Sequence, residues 1–257
     1  MMVFLHIPKT GGTSYRFVLE NNFGIHHCHA THARDEAFTD ADFAFAKKVF
    51  PGLRSIAGHN LIDPTRLPFP DPFFVTILRD PVKRVISHYL QLNRRRTQNV
   101  EFEKALREWG DLENLHVKLM AGERNLDKAK FLLEKQCGFI GFTEKFDLSM
   151  RVLDKLSPVK LDIRYQMRRV TPNGPSKKLL QTDSLMLEMA KEFNRLDLEL
   201  YSFAMNEVFP KLCERAGFRV TDAVAPMNTY PSNIRLKSRL GGCYNRIVYR
   251  QLCKLRR

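Results

Sequence analysis

Residues Val3 to Tyr15, VFLHIPKTGGTSY, decide how this chain is read. Val3, Phe4, Leu5 and Ile7 form a short apolar run with β-branched and aromatic members, which predicts a buried strand that Pro8 closes. Lys9, Thr10, Gly11, Gly12, Thr13 and Ser14 predict a turn, and Tyr15, Val18 and Leu19 fall at the spacing of a helix starting behind it. Strand, glycine turn and helix in that order make an anion site. The glycines let the backbone approach a ligand, N–H groups gather at a helix N-terminus where the dipole favours negative charge, and a lysine and hydroxyls share the same space. A Walker A loop carries its lysine after the glycines, whereas Lys9 precedes Gly11 and Gly12. Taken alone, the stretch is also compatible with a strand-to-helix turn that binds nothing.

A second stretch has the same order. Phe73 to Leu78 (FFVTIL) predicts a strand, and RDPVKRVISHY follows it from Arg79 to Tyr89. Pro81 suits a first helical position, with Val82, Val85, Ile86, Tyr89 and Leu90 as the buried face. Arg79, with a charged fork, and Ser87, with a neutral hydroxyl, are placed to reach one phosphate. Between the two stretches, Arg54 to Leu61 predicts a strand ending in Gly58, His59 and Asn60. Ligands of open α/β sheets bind beyond the carboxyl ends of strands, so His59 is a candidate for chemistry. A histidine satisfied by local hydrogen bonds fits the same residues.

PKTGGTS at residues 8–14 and RDPxxRxxSxY at residues 79–89 together resemble the two signature motifs of sulfotransferases that use 3′-phosphoadenosine 5′-phosphosulfate (PAPS), in the form of the glycan 2-O and 6-O group. The resemblance implies a P-loop-like, three-layer α/β fold with a mainly parallel sheet flanked by helices and a helical C-terminal half, all in one domain spanning residues 1–257. It implies that Lys9, Thr10, Gly11, Gly12, Thr13 and Ser14 hold the 5′-phosphosulfate and that Arg79 and Ser87 hold the 3′-phosphate. His59 matches the family's catalytic base, acting on a hydroxyl of a carbohydrate acceptor while Lys9 stabilises the leaving phosphate; no metal is implied. NLHVKLMAG (114–122) resembles a family segment near the active site. FIGFTE (139–144) implies that Gly141 and Thr143 neighbour the adenine, and FNRLDLELYSFA (193–204) resembles a late segment expected to be structural.

Composition bounds the rest. A formal charge of +14 over 257 residues predicts an anionic partner without naming it: the donor, an acidic polysaccharide, nucleic acid and an anionic membrane all fit. The resemblance favours a glycan over nucleic acid. The odd set Cys28, Cys137, Cys213, Cys243 and Cys253 contains no CxxC pair, which predicts reduced structural thiols. No apolar run reaches the roughly 18 residues of a membrane span, and no signal peptide is recognised. A first strand this close to Met1 leaves no room for the anchor of Golgi family members, so the expectation is a cytoplasmic, bacterial-type enzyme or a truncated chain. Two other classes stay open: a nucleotide-dependent phosphotransferase with Asp80 as the carboxylate for Mg²⁺, and a non-enzymatic polyanion binder.

Further features predict structure. His26, His27, Cys28, His29 and His32 lack the second ligand pair of a zinc site and read as a strand whose histidines line a cleft or face solvent. Asp40 to Phe50 predicts a helix capped by Asp40, and Glu144 to Leu156 another behind the strand Phe139 to Thr143. Arg94, Arg95 and Arg96 read as solvated capping at a helix end, Trp109 as core, and residues 157–178 as a basic loop. Helical blocks are predicted at Leu185 to Leu200 and Tyr201 to Cys213. In the basic tail, Ile247, Val248, Leu252 and Leu255 give an apolar stripe compatible with peripheral membrane contact or with docking on the chain's own domain.

Overall fold

The apolar run from Val3 becomes β1 (Met2–Leu5), the middle strand of a parallel five-stranded sheet in the order β2-β3-β1-β4-β5. The computed structural model of the chain describes residues 1–30, 37–67, 69–165, 183–226 and 236–256. β1 pairs with β3 (Ser55–Gly58) on one side and β4 (Phe73–Leu78) on the other, while β2 (His27–His29) and β5 (Cys137–Phe142) are the edges. Every residue of β1 and β3 is buried, as in parallel strands covered on both faces, which is why they read as continuous apolar runs. The order of strands reverses between β1 and β4: the chain leaves β1 toward β2 and β3, and leaves β4 toward β5. A crevice opens at the carboxyl ends of strands where such a reversal occurs.

The helices around this sheet are α1 (Gly12–Phe23), α2 (Asp40–Val49), α3 (Pro81–Asn93), α4 (Phe102–Glu108), α5 (Leu115–Ala121), α6 (Leu126–Lys135) and α7 (Phe146–Leu156). The helical C-terminal half follows as α8 (Ser184–Phe193), α9 (Arg195–Phe203), α10 (Phe209–Arg215), α11 (Leu236–Cys243) and α12 (Arg250–Leu255). The three-layer α/β arrangement is the expected one. Boundaries moved where side chains claim backbone groups. Thr39, not Asp40, caps α2: its hydroxyl accepts from Asp42 N at 3.2 Å while the Asp42 carboxylate accepts from Thr39 N at 3.1 Å. The block predicted from Leu185 to Leu200 breaks at Asn194 for a related reason.

Asn194 and Asp197 are bound to the start of α5. Asn114 N donates to Asn194 Oδ1 at 3.1 Å, and His116 N and Val117 N both donate to the Asp197 carboxylate at 2.9 Å. In return Asn114 Oδ1 accepts from Leu196 N at 3.0 Å and Asp197 N at 3.2 Å. Two helix starts thus cap each other across some eighty positions of sequence. Arg84 of α3 locks the same frame, with Nη1 donating to Asp111 O and Nη2 to Leu112 O, each at 3.2 Å, and Nη2 to Asn194 Oδ1 at 3.3 Å. The late segment is structural, as its resemblance implies. Trp109 is half-buried, stacked on Tyr89 with ring centroids 5.9 Å apart and covered by Arg96 at 4.3 Å, so Arg96 is not a merely solvated cap.

The C-terminal helices close the open edge of β2. Asn245 Oδ1 accepts from His29 N and Asn245 Nδ2 donates to His27 O, both at 2.8 Å, so one side-chain amide does what another strand would do. At Gly241 a Cβ would lie 2.4 Å from Gly24 O, so this approach requires glycine. The docked stripe is therefore Gly241, Asn245, Tyr249 and Cys253, not the predicted Ile247, Val248, Leu252 and Leu255, of which only Val248 turns toward the core. In the basic loop, Arg164 pairs with Asp162 at 2.6 Å. His32, Arg168, Arg169, Lys177, Lys178, Arg235 and Arg257 lie outside the described residues.

Asp197 carries the mutual cap, so its truncation leaves two buried N–H groups unpaired. Asp197→Ala is expected to destabilise the chain by about 2 to 4 kcal/mol in a denaturant titration. A loss within error of zero would show that the frame does not depend on this carboxylate.

Candidate active site

The turn after β1 is unusual in its backbone. Lys9 has φ 71° and Gly11 has φ 81°, both left-handed, a region that costs a side-chain-bearing residue about 1 kcal/mol. A set of donors on the loop carbonyls imposes it. Ile7 O accepts from Thr10 Oγ1 at 2.9 Å, Lys9 O from Arg79 Nη1 at 3.0 Å, Thr10 O from Thr143 Oγ1 at 2.7 Å, and Gly11 O from Ser14 N at 2.9 Å. His6 O is bonded to His59 Nδ1. Donors from beyond β3, β4 and β5 thus converge on one turn. The N–H groups of Thr10, Gly11, Gly12 and Thr13, by contrast, meet no acceptor among the described residues, and two of them open α1.

His59 sits just beyond the end of β3, as its sequence position predicts. A backbone carbonyl can only accept, so the bond to His6 O puts the proton on Nδ1 and the lone pair on Nε2. Burial holds its pKa below the usual 6.5, with the His6 bond pulling the other way and the Arg16 charge adding to the depression. Arg79 lies at the end of β4, its pKa lowered by burial and pulled back up by Glu144 and Asp80. Its Nε is a buried donor with no hydrogen-bond partner among the described residues. Ser87 is buried on α3, two turns from the helix start.

The structure gives several of these residues other tasks. Asp80 caps α3, its Oδ1 accepting from Lys83 N at 2.8 Å. Gly141 does not face the loop, since a Cβ there would come within 3.1 Å of Ser149 Cβ on α7; Thr143 does reach the loop, as a brace on Thr10 O and, at 3.1 Å, Leu78 O. His27 and His29 do not face solvent. Both are buried, with His27 Nδ1 3.0 Å from Ser55 Oγ and His29 Nε2 2.9 Å from Glu20 Oε1. No group of three or more His, Cys, Asp or Glu side chains among the described residues is placed to hold a metal.

Two histidines escaped the sequence reading. His6 stacks on Phe4 at 5.3 Å and lies 4.3 Å from the His59 ring; the period of two along β1 and its extension puts Phe4 and His6 on one face and could have flagged it. A Cβ on Gly12 would fall 2.0 Å from His6 Cδ2, so the first residue of α1 is glycine because this ring fills its place. His88, next to Ser87 in the second motif, is buried with Nδ1 3.3 Å from Arg84 Nη1. Burial first, then the charges of Arg84 and Lys9, push its pKa down to about 3.

A central strand running into a glycine turn and helix, with an arginine and a histidine delivered by the strands on either side, defines an α/β protein of the P-loop-like kind. Comparison narrows that class. The chain is 20% identical over 268 residues to heparan sulfate 2-O-sulfotransferase hst-2 of Caenorhabditis elegans, covering 84% of this chain and 80% of the relative, a similarity that supports the sulfotransferase family. No family model matches the chain. The relative is a nematode protein and lends nothing to the bacterial-type expectation.

The Gly12–His6 contact is testable. Gly12→Ala should displace the His6 ring and, through it, both loop and His59, lowering turnover by about 10²-fold. His6→Ala in the same chain should restore part of the loss; no rescue would place the defect elsewhere.

Proposed function

We propose that the chain transfers a sulfuryl group from PAPS to a hydroxyl of a carbohydrate acceptor. The observation that carries this reading is the loop whose carbonyls are tied behind it while the backbone N–H groups of Thr10 to Thr13 meet no acceptor among the described residues. Its residues fit a donor with charge at both ends: Thr10, Gly11, Gly12, Thr13 and Ser14 for the 5′-phosphosulfate, and Arg79, with its leftover Nε donor, together with Ser87 for the 3′-phosphate. The donor supplies an activated sulfur. The acceptor oxygen forms a bond to it as the bond to the 5′-phosphate oxygen breaks, in line.

His59 takes the acceptor proton on Nε2. Lys9 and the loop amides receive the charge that collects on the departing phosphate oxygen. Because burial lowers the His59 pKa, the base form persists below pH 6.5, and the imidazole is already neutral when the acceptor arrives. None of these roles calls for a metal. The acceptor is read as a glycan from the relative named above, and nucleic acid has no role in the scheme. A cytoplasmic site of action belongs to the same reading, supported by five free cysteines. The phosphotransferase reading is not favoured, because its carboxylate is the α3 cap.

Separate alanine variants test the roles, using labelled donor and a panel of desulfated glycans. Lys9→Ala should lower kcat by about 10² to 10³ and His59→Ala by about 10² to 10⁴, with the melting-temperature rise on adding 3′-phosphoadenosine 5′-phosphate retained in His59→Ala. A folded imidazole with a lowered pKa loses its base form only as pH falls through that lowered value. The acid limb of kcat/KM should therefore lie below 6.5 and vanish in His59→Ala. Near-normal transfer by either variant would remove that residue from its role.

A further inference from the structure

The C-terminal helices dock one stripe on the domain and expose the rest. Gly241, Asn245, Tyr249 and Cys253, each four residues after the last, form the stripe against the domain, held also by Tyr244 OH donating to Val49 O at 2.6 Å and Arg256 Nη1 at 3.3 Å from Asp42 Oδ1. The outward side carries Leu240, Ile247 and Leu255, at 54%, 68% and 84% exposure, with Leu252 at the margin. These four and Ile25, in the turn against which α11 packs, make five of the seven exposed large hydrophobic residues among the described ones. Isolated exposed leucines need no explanation, but this concentration does.

The charges repeat with them. Arg239-Leu240, Arg246-Ile247 and Lys254-Leu255 are three basic–apolar pairs, and adjacent residues lie about 100° apart around a helix, so a basic row runs beside an apolar row. Arg250 joins the basic row, and all four cations are exposed. No Asp or Glu occurs from residue 223 to residue 257, where eight Lys and Arg do. From this pattern we infer that the outward face of α11 and α12, with the π-helical stretch Tyr244–Tyr249 that joins them, is a peripheral docking surface for an anionic phospholipid bilayer. The apolar row enters the boundary between headgroups and acyl chains while arginine and lysine stems reach to the phosphates.

Charge decides against a second copy of the chain, because like rows would face each other across a dimer. The apolar row decides against a soluble polyanion, which offers nothing to bury three long aliphatic side chains. No helix among the described residues is long and apolar enough to cross a membrane, so the contact is interfacial.

Co-sedimentation of the full chain with vesicles tests this independently of sulfuryl transfer. The chain should pellet with phosphatidylcholine vesicles containing about one third phosphatidylglycerol, not with phosphatidylcholine alone, and partitioning should fall with added salt. Ile247→Ser with Leu255→Ser should weaken it about tenfold or more, with melting temperature unchanged because both side chains are exposed. Failure to pellet with the anionic vesicles overturns the inference. So does undiminished binding by the double variant, which would mean charge alone acts, as for a soluble polyanion. A dimer in light scattering that the double variant dissolves would assign the face to self-association and equally overturn it.

Discussion

A backbone loop can offer its N–H groups to an anion only when its carbonyl oxygens, carried on the same peptide planes, are satisfied elsewhere. The turn from His6 to Gly11 meets that condition by drawing on three neighbouring strand ends. His59 takes His6 O, Arg79 takes Lys9 O, and Thr143 takes Thr10 O, while Thr10 and Ser14 close the turn on itself. The left-handed backbone at Lys9, unfavourable for a residue with a Cβ, is stable because five carbonyl contacts determine it together. Preorganisation of this kind costs nothing at the moment of reaction, since the donors are in place before charge develops.

Sheet topology makes that convergence available. β3 and β4 flank β1, so residues just past their ends lie beside the turn without long excursions. A crevice at the reversal of strand order would be present in many sequences with this topology. Rigidity behind it comes from particular side chains. Arg84 reaches from α3 to the carbonyls of Asp111 and Leu112 and to Asn194, and the reciprocal caps of Asn114, Asn194 and Asp197 hold α5 and α9 to each other. Arg84 is buried and its pKa is lowered to about 10 by burial, yet the guanidinium stays charged at neutral pH because backbone oxygens stand in for water. Residues of the second motif thus serve two ends: Arg79 toward the loop, Arg84 toward the frame.

What the sequence disclosed follows the range of the interactions. β1, β3 and β4 were legible because strands buried on both faces read as unbroken apolar runs, and the turn was legible because glycine and proline act within a few residues of themselves. His59 and Arg79 could be singled out by position, as the first polar residues past a strand. For His6 the alternation along β1 gave only its face, because its role depends on the absence of a Cβ at Gly12 and on a ring contributed by His59. Asn194 looked like the interior of a continuous helix until its partner, eighty positions earlier, was in place. Asn245 is a similar case: an amide in a basic tail reads as surface, and only the open edge of β2 gives it a buried task. Polar residues whose partners are remote carry no local signature.

Charge links the two halves of the proposed chemistry. The cations that would hold a polyanionic donor also act on the histidines: Lys9 and Arg84 depress His88, and Arg16 depresses His59, each adding to the effect of burial. These charges disfavour imidazolium, which keeps the base in its proton-accepting form. On the proposed reading, the donor's negative groups would offset the same cations and raise the affinity of His59 for a proton. Base strength would then be greatest when a sulfuryl group is present to be transferred and least when it is not. One electrostatic arrangement would in this way both seat the donor and time the proton transfer, without any part of the backbone having to move.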